Sequence, residues 1–221
     1  MSALFDYPPK TQFGRIIAKN KIYERVKPSR KVRDAFSAQV AKIIWQYKLA
    51  PETTNLPSRP GVQEIEVFEI PLKTDDLDTN ILRCIDKSII HPIIYNITFE
   101  NRIKVIATYK RPNEADTSKW VVGDAYFSTD WLPADTERQK LPVVLDLASL
   151  YEHILREIIS LPPRENESLV KHITRTELLI TKEKEHKKLE SRMYQENQFN
   201  RKVELNGQLK TLADEIKSLR S

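Results

Sequence analysis

The sequence predicts an α+β domain with a small, mostly antiparallel sheet and flanking helices, followed by a long helical arm of the coiled-coil type. Three observations support this fold class. Apolar residues recur at helical spacing in several segments of the first 163 residues. Short apolar runs with strand character lie between these segments. Residues 168–221 are rich in charge, lack proline and contain one glycine, a composition typical of long helices.

The first fifty residues are predicted to form short extended pieces followed by one helix. Gly14 and Pro28 interrupt the first segment, whose isoleucines suggest extended structure. Ser29 is a suitable N-cap, and apolar residues recur at helical spacing as far as Tyr47. This helix should end just before Pro51, because the residue preceding a proline is disfavoured in the helical region. Residues 51–61 contain three prolines and are predicted to be a loop.

A strand and a helix are predicted next. Residues 62–70 alternate as a strand does, with Ile65 and Val67 on one face and Glu64 and Glu66 on the other. Asp75 and Asp76 are predicted to cap a helix that carries apolar residues inward.

Three strands and one more helix should complete the domain. Residues 93–99 and 103–109 are joined by Glu100-Asn101-Arg102, which predicts a hairpin. Residues 120–127 form the third strand. Asp146 opens the next helix, which ends at Leu161-Pro162-Pro163. Consecutive strands with segregated helices are typical of α+β domains.

Two domains follow from this pattern, a globular domain at 1–163 and a helical arm or helical hairpin at 168–221. The arm carries apolar residues in two registers, interrupted around Asn197 and Gly207, so it either bends, forms two helices or changes its packing partner. An isolated helix would leave these side chains exposed, so we expect self-association, folding back, or capture by another protein. The partner-binding residues predicted on the arm are Leu179, Leu189, Met193, Phe199, Val203, Leu209, Leu212, Ile216 and Leu219.

Composition excludes several classes of protein. No apolar run reaches the roughly 18 residues that a membrane span requires, and no signal-like start is present, so we expect a cytoplasmic protein. Cys84 is the single cysteine, which excludes an internal disulfide and multi-cysteine metal sites. Only four glycines occur, so a glycine-rich phosphate loop cannot be assembled.

Positive charge is concentrated near the start of the chain. Residues 1–48 contain eleven Lys or Arg against three acidic residues, a local net charge of +8, whereas the whole chain carries +5. Such a segment can neutralise nucleic-acid phosphates, form a solvated face, or dock on an acidic protein. The predicted nucleic-acid or partner-binding residues are Lys10, Arg15, Lys19, Lys21, Arg25, Lys27, Arg30, Lys31, Arg33, Lys110 and Arg111.

Catalytic chemistry is only weakly indicated. Glu64 and Glu66 share a strand face and could ligate a metal as nuclease carboxylates do. The strand offers no lysine in the Glu-x-Lys spacing, so the pair is expected to be the solvated side of a half-buried strand. His91 is expected to be a turn residue, and the four histidines are scattered. The residues therefore predict no catalytic site, no metal and no cofactor.

Several blocks of sequence together resemble a widespread family of small bacterial and archaeal proteins. These blocks occur in one order and are spread over nearly the whole chain: 13–17, 21–24, 45–53, 107–111, 126–131 and 199–206. The resemblance implies a gene context beside Swi/Snf-type helicases and DNA methyltransferases in mobile or antiphage defence clusters. It supplies no active-site signature.

Two functions remain open at this stage. The first is a non-catalytic accessory subunit of a helicase- or methyltransferase-associated, restriction-like antiphage defence system. Its arm would dock the partner subunit or a second copy, and its basic segment would contact DNA. The second is a divergent metal-dependent nuclease subunit that uses Glu64 and Glu66.

Overall fold

Strands dominate the first part of the chain, and two long helices make up nearly all of the last part. The computed structural model describes residues 3–116 and 119–221. The chain divides into two units, one up to Ser160 and one from Leu161 to Ser221. The sequence predicted the boundary between residues 163 and 168.

The predicted α+β class is confirmed by the order of elements. The strands are β1 (Phe5–Asp6), β2 (Gln12–Ile16), β3 (Ile44–Leu49), β4 (Ile65–Pro71), β5 (Ile93–Phe99), β6 (Arg102–Pro112), β7 (Trp120–Ser128), β8 (Leu132–Pro133) and β9 (Gln139–Lys140). The helices are α1 (Lys19–Val26), α2 (Arg30–Gln39), α3 (Pro51–Thr54), α4 (Thr79–Ser88), α5 (Leu147–Ile158), α6 (Leu169–Gln195) and α7 (Phe199–Arg220), with a 3₁₀ turn at Pro9–Thr11.

The main sheet has one parallel pair in an otherwise antiparallel arrangement. Six strands follow the order β2-β3-β4-β5-β6-β7, and the short β8 pairs with β6 as the seventh. Only β4 and β5 run parallel within this sheet. The chain connects them through α4, since parallel neighbours require a crossover rather than a tight turn. β1 and β9 form a separate parallel pair.

The predicted course of residues 16–50 was wrong in two places. Residues 19–26 form α1 where extended pieces were expected. The N-cap at Ser29 is confirmed, because its side chain accepts from the Val32 amide, but α2 ends at Gln39. Residues 44–49 instead form β3, which pairs with β2 and β4. Backbone pairing on both sides outweighs a helical apolar period that continues from α2 into this segment.

Helix capping was predicted correctly at Asp146 and wrongly at α4. Asp146 caps α5 by accepting from the Ser149 amide at 2.8 Å. Asp78, rather than Asp75 or Asp76, caps α4 by accepting from the Asn80 amide at 2.9 Å. Because the Asp78 amide donates to the Gln39 side chain at 2.7 Å, residue 78 is held at the helix start.

Side-chain alternation places the two faces of the sheet in different surroundings. Phe68 and Ile70 of β4 belong to a buried cluster with residues of α1, α2 and α4. Residues of the opposite parity, such as Val67, point to the other face, where α5 contacts β6. The even-numbered residues of β4 therefore point toward α1, α2 and α4 rather than into solvent.

The C-terminal unit is a helical hairpin, one of the two forms that the sequence left open. Glu196 ends α6, and its Oε1 accepts from the amides of Asn197 and Gln198 at 2.9 Å each. The bond from Arg175 to the Leu219 carbonyl (2.7 Å) and the ion pair from Lys182 to Glu215 (2.9 Å) show that α6 and α7 run antiparallel. A second ion pair joins Arg220 to Glu183 at 2.7 Å. Within residues 3–116 and 119–221, no helix combines the length and hydropathy that a bilayer span requires.

One buried arginine ties the open end of this hairpin together. Arg175 of α6 makes a bidentate bond to Glu167, with both nitrogen–oxygen distances 2.8 Å. Its guanidinium also donates to the carbonyls of Pro162 and Leu219, both at 2.7 Å. The start of α6 and the end of α7 are therefore fixed by one side chain.

We predict that Glu167 stabilises the protein at neutral pH and loses this effect in acid. Hydrogen bonding from Arg175 lowers the pKa of Glu167 from 4.5 to about 2. A carboxyl group whose pKa is lower in the folded state than in the unfolded state stabilises the fold at pH values above its unfolded-state pKa. This stabilisation is lost as the pH falls through the folded-state pKa, here between about pH 4.5 and 2. Glu167→Gln should destabilise by about 1.5–3 kcal/mol at pH 6, the range for a charge-assisted hydrogen bond.

Urea unfolding of wild type and Glu167→Gln at pH 6, 4, 3 and 2 measures this difference. The two proteins should converge in stability by pH 2, since other carboxylates titrate alike in both. A difference that persists undiminished at pH 2 would contradict the assignment.

Candidate functional site

Strand register brings Glu64, Glu66 and His91 together at one end of the parallel pair. Glu66 of β4 lies beside Ile93 of β5, and its amide donates to the Pro92 carbonyl at 2.9 Å. The same register places Glu64 beside His91, and Glu64 Oε1 lies 3.1 Å from His91 Nε2. One ligand atom from each of the three side chains lies within 4.8 Å of the others.

Lys48 of β3 joins this cluster from the neighbouring strand. It lies directly beside Glu66 in the antiparallel register, and its Nζ is 3.0 Å from Glu64 Oε2. Glu52 lies 3.1 Å from the same ammonium. Hydrogen bonding to Glu64 is the largest effect on the pKa of Lys48 and raises it. Glu64 thus lies between a lysine and a histidine.

Glu66 is not on the solvated side of a strand, and that expectation was wrong. Its exposed fraction is 2%, because it shares the helix-covered face with Phe68. Its Oε2 has no hydrogen-bond partner among the described residues. Burial, and then the neighbouring Glu64 carboxylate, raise the pKa of Glu66 to about 8. Near neutral pH this carboxyl is therefore largely protonated.

Lys110 holds the segment that carries His91, and it is not a surface binding residue. Its exposed fraction is 1%. Its Nζ donates to the carbonyls of Asp86 at 2.7 Å, Ile89, and His91 at 2.9 Å. The Asp86 carbonyl belongs to the last turn of α4, where the helix dipole is negative, and those of Ile89 and His91 belong to the segment that follows the helix. Burial lowers the pKa of Lys110 to about 8, against the opposing effects of Asp86 and Glu66.

A buried carboxylate completes the network behind His91. Asp86 Oδ2 accepts from the hydroxyls of Tyr126 at 2.6 Å and Tyr95 at 3.0 Å. Its Oδ1 lies 3.8 Å from Lys110 Nζ. Burial raises the pKa of Asp86 to about 6, while Lys110 and the tyrosines act in the opposite direction. The buried Asp86 side chain therefore interacts with two tyrosines and one lysine.

A cavity of about 670 Å³ opens onto the Glu64–Glu66–His91 cluster. Lys21 and Arg25 of α1 line it opposite the carboxyl groups, and Trp45 forms part of its apolar wall. Arg25 Nη1 donates to the Ser88 carbonyl at 2.8 Å, which fixes α1 against the end of α4. Basic and acidic side chains thus line the same cavity.

The other basic residues named from the sequence differ in their roles. Lys19 is half-buried, and its Nζ donates to the carbonyls of Phe36 (2.8 Å) and Val40 (2.6 Å) at the end of α2. Burial lowers its pKa. Lys19 is therefore a helix cap rather than a binding residue. Arg111 is bonded to Glu114 at 3.1 Å. The remaining basic residues that were predicted to bind nucleic acid or a partner are exposed: Lys10, Arg15, Lys21, Arg25, Lys27, Arg30, Lys31 and Arg33.

The residues predicted to bind a partner through the arm fall into three groups. Leu179 and Leu209 are buried. Phe199 and Val203 are exposed near the loop that joins α6 to α7. The half-buried residues lie along the two helices: Leu189, Met193, Leu212, Ile216 and Leu219.

The sequence indicated Glu64 and Glu66 but not that Lys48, His91 and Lys110 lie in the same cluster. It predicted a turn residue at His91 and a binding surface at Lys110. Lys48 was placed in a helix, so its position on β3 could not be inferred. His91 could have been found, since a strand, a helix and a strand in succession are typical of a parallel pair. That topology brings the starts of both strands, and hence Glu64 and His91, to one edge.

These features define an α+β domain with a buried polar cluster beside a cavity, followed by a helical hairpin. The chain belongs to the family described as a domain of unknown function (DUF4391), whose model matches residues 5–216. The family resemblance over nearly the whole chain is thereby confirmed. No curated protein and no solved structure matches the chain.

We predict that Lys110→Met destabilises the first unit strongly. The substitution removes the cation from a buried carboxylate and leaves carbonyls of the α4 terminus without a donor. Loss of one partner of a buried pair amounts to about 3–5 kcal/mol. Urea unfolding followed by tryptophan fluorescence measures the loss.

Lys104→Met, on the same strand, is the matched control. Lys104 is half-buried and lies 4.5 Å from the centre of the Trp131 ring, a contact whose loss amounts to about 0.5–1 kcal/mol. Asp86→Asn should be less destabilising in the Lys110→Met background than in wild type. Equal effects of Lys110→Met and Lys104→Met would argue against the role given to Lys110.

Proposed function

We propose that the protein is a non-catalytic accessory subunit of a bacterial, cytoplasmic antiphage defence assembly. In this proposal the helical hairpin docks a helicase or DNA methyltransferase subunit, and exposed cations of the first unit contact DNA. The gene context implied by the family resemblance motivates the choice of partner. The observation that carries the docking role is an apolar surface at the closed end of the hairpin.

This surface, the hairpin tip, consists of Tyr194, Phe199 and Val203. Their exposed fractions are 77%, 78% and 57%. All three lie within about two helical turns of the 196–198 loop, and Phe199 and Val203 share one face of α7 at i and i+4. Large apolar side chains exposed together are typical of protein interaction sites. The bonds from the Asn197 and Gln198 amides to Glu196 stabilise the loop between the two helices.

The DNA contact is supported by the charge of α1 and α2. Lys21, Lys27, Arg30, Lys31 and Arg33 are exposed in this short stretch of chain. Arg30 has one ion pair, to Asp34, at 4.0 Å between two exposed side chains, so its charge is only weakly compensated. Such a surface favours binding to phosphates that weakens with salt and does not read sequence.

We predict that the triple substitution Tyr194→Ser, Phe199→Ser and Val203→Ser abolishes partner docking. Tagged protein is expressed from its native gene cluster, and recovery of the helicase or methyltransferase is quantified by mass spectrometry. Recovery should fall at least about tenfold, equivalent to about 1.4 kcal/mol of binding free energy. Thermal unfolding should change little, because the three side chains are exposed.

The matched control is Val143→Ser with Leu145→Ser, which removes exposed apolar side chains from the first unit. It should leave partner recovery unchanged. Sedimentation velocity of the purified protein tests self-association through the same tip. Undiminished recovery with the triple variant would refute the docking role of the tip.

Metal-dependent nucleic-acid cleavage is a second candidate, favoured by the cavity that joins Glu64, Glu66 and His91 to Lys21 and Arg25. Carboxylate and imidazole ligands can hold a cation that activates water, while nearby cations bind a phosphodiester. The sequence argument against a nuclease required Glu64 and Glu66 to lack a lysine or third ligand. Lys48 and His91 both contact Glu64, and a ligand atom of Glu66 lies within 4.8 Å of those of Glu64 and His91.

The two candidates make opposite predictions for the purified protein incubated with DNA and Mn²⁺. The accessory role predicts no cleavage. The nuclease predicts cleavage that falls at least about 100-fold in Glu66→Gln, because a metal ligand contributes several kcal/mol of transition-state stabilisation. Glu69→Gln, on the same strand but on the opposite face, is the control and should retain any cleavage.

A further inference from the structure

Three donor atoms of the right kind converge on one point beside the cavity. Ligands about 2.0–2.2 Å from a shared cation lie no more than about 4.4 Å apart. The donors of Glu64, Glu66 and His91 are within 4.8 Å of one another, so small side-chain adjustments suffice to share an ion. The backbone that carries them is fixed by the β4–β5 register and by the bond from Lys110 to the His91 carbonyl.

An unpartnered buried oxygen provides a second and independent observation. Glu66 Oε2 has no hydrogen-bond partner among the described residues, although its side chain is almost fully buried and lines the cavity. A buried polar group without a partner destabilises a fold by about 1–3 kcal/mol. A bound cation would satisfy this oxygen from the cavity side.

The donor set discriminates among cations. Two carboxylates and one imidazole suit first-row transition cations such as Mn²⁺ and Zn²⁺, whereas Mg²⁺ and Ca²⁺ prefer sites made of oxygen alone. Lys48 lies 3.0 Å from Glu64 Oε2 and leaves Oε1 facing His91. The lysine therefore orients the carboxylate without occupying the oxygen that a cation would share with the imidazole.

We infer that Glu64, Glu66 and His91 form a binding site for one divalent cation of the Mn²⁺ or Zn²⁺ class. This site would supply the cofactor of the nuclease candidate, and it is independent of docking through the hairpin. The competing explanation is a structural network in which Glu64 bridges Lys48 and His91 and no ion binds.

Calorimetric titration of the full chain with MnCl₂ tests the inference directly. One site should be filled, with an affinity at least about tenfold higher than for MgCl₂ or CaCl₂. Saturating Mn²⁺ should raise the melting temperature, because the ion binds only the folded state. No heat of binding together with an unchanged melting temperature would overturn the inference.

Variants assign the bound ion to this site. Glu66→Gln and His91→Gln should each weaken Mn²⁺ binding at least about tenfold. Glu69→Gln and His153→Gln are the matched controls and should bind as wild type does. If all four variants bind Mn²⁺ equally, the ion lies elsewhere and the inference fails.

A measurement on the wild-type chain covers the case in which a ligand variant does not fold. Substoichiometric Mn²⁺ should broaden the NMR signals of the His91 ring before those of the other three histidines. Broadening confined to the others would refute the site. Mn²⁺ binding without DNA cleavage would support the inference and reject the nuclease. Cleavage and Mn²⁺ binding that are both unchanged in Glu66→Gln would reject both.

Discussion

The buried ammonium of Lys110 is the interaction on which the site depends. It reaches from β6 beneath the end of α4 and donates to the carbonyls of Asp86 in the last turn of α4 and of Ile89 and His91 in the segment that follows. The same charge compensates Asp86, which also binds two tyrosine hydroxyls. Since the chain turns here from α4 into β5, this lysine and the β4–β5 register together fix the position of His91.

The polar cluster lies at the border between the apolar layer and solvent. Glu66 projects from the face of the sheet that carries Phe68 and Ile70, but it lies at the end of the strand where the helices leave a cavity. Arg25 holds α1 across this opening by its bond to the Ser88 carbonyl. The site therefore combines a buried carboxyl group with access from solvent, which an interior polar network would lack.

Much of the architecture could be predicted because its signals are local. The strand at Ile93–Phe99, the caps at Ser29 and Asp146, and the break between the two arm helices depend on residues close in sequence. The strand at Ile44–Leu49 could not be predicted, because its hydrogen-bond partners lie on β2 and β4. Its apolar residues fitted a helical period equally well.

The sequence by itself determined the fold class, the separate helical arm and the concentration of positive charge near the start of the chain. Periodicity, capping residues and composition carry that information within short windows. Only the tertiary structure decided that Glu66 is buried, that Lys110 is internal and that His91 lies beside Glu64. The reason is that these contacts depend on the register between neighbouring strands. A parallel pairing of β4 with β5 joins residues 27 positions apart in sequence, and no local pattern encodes which residues meet.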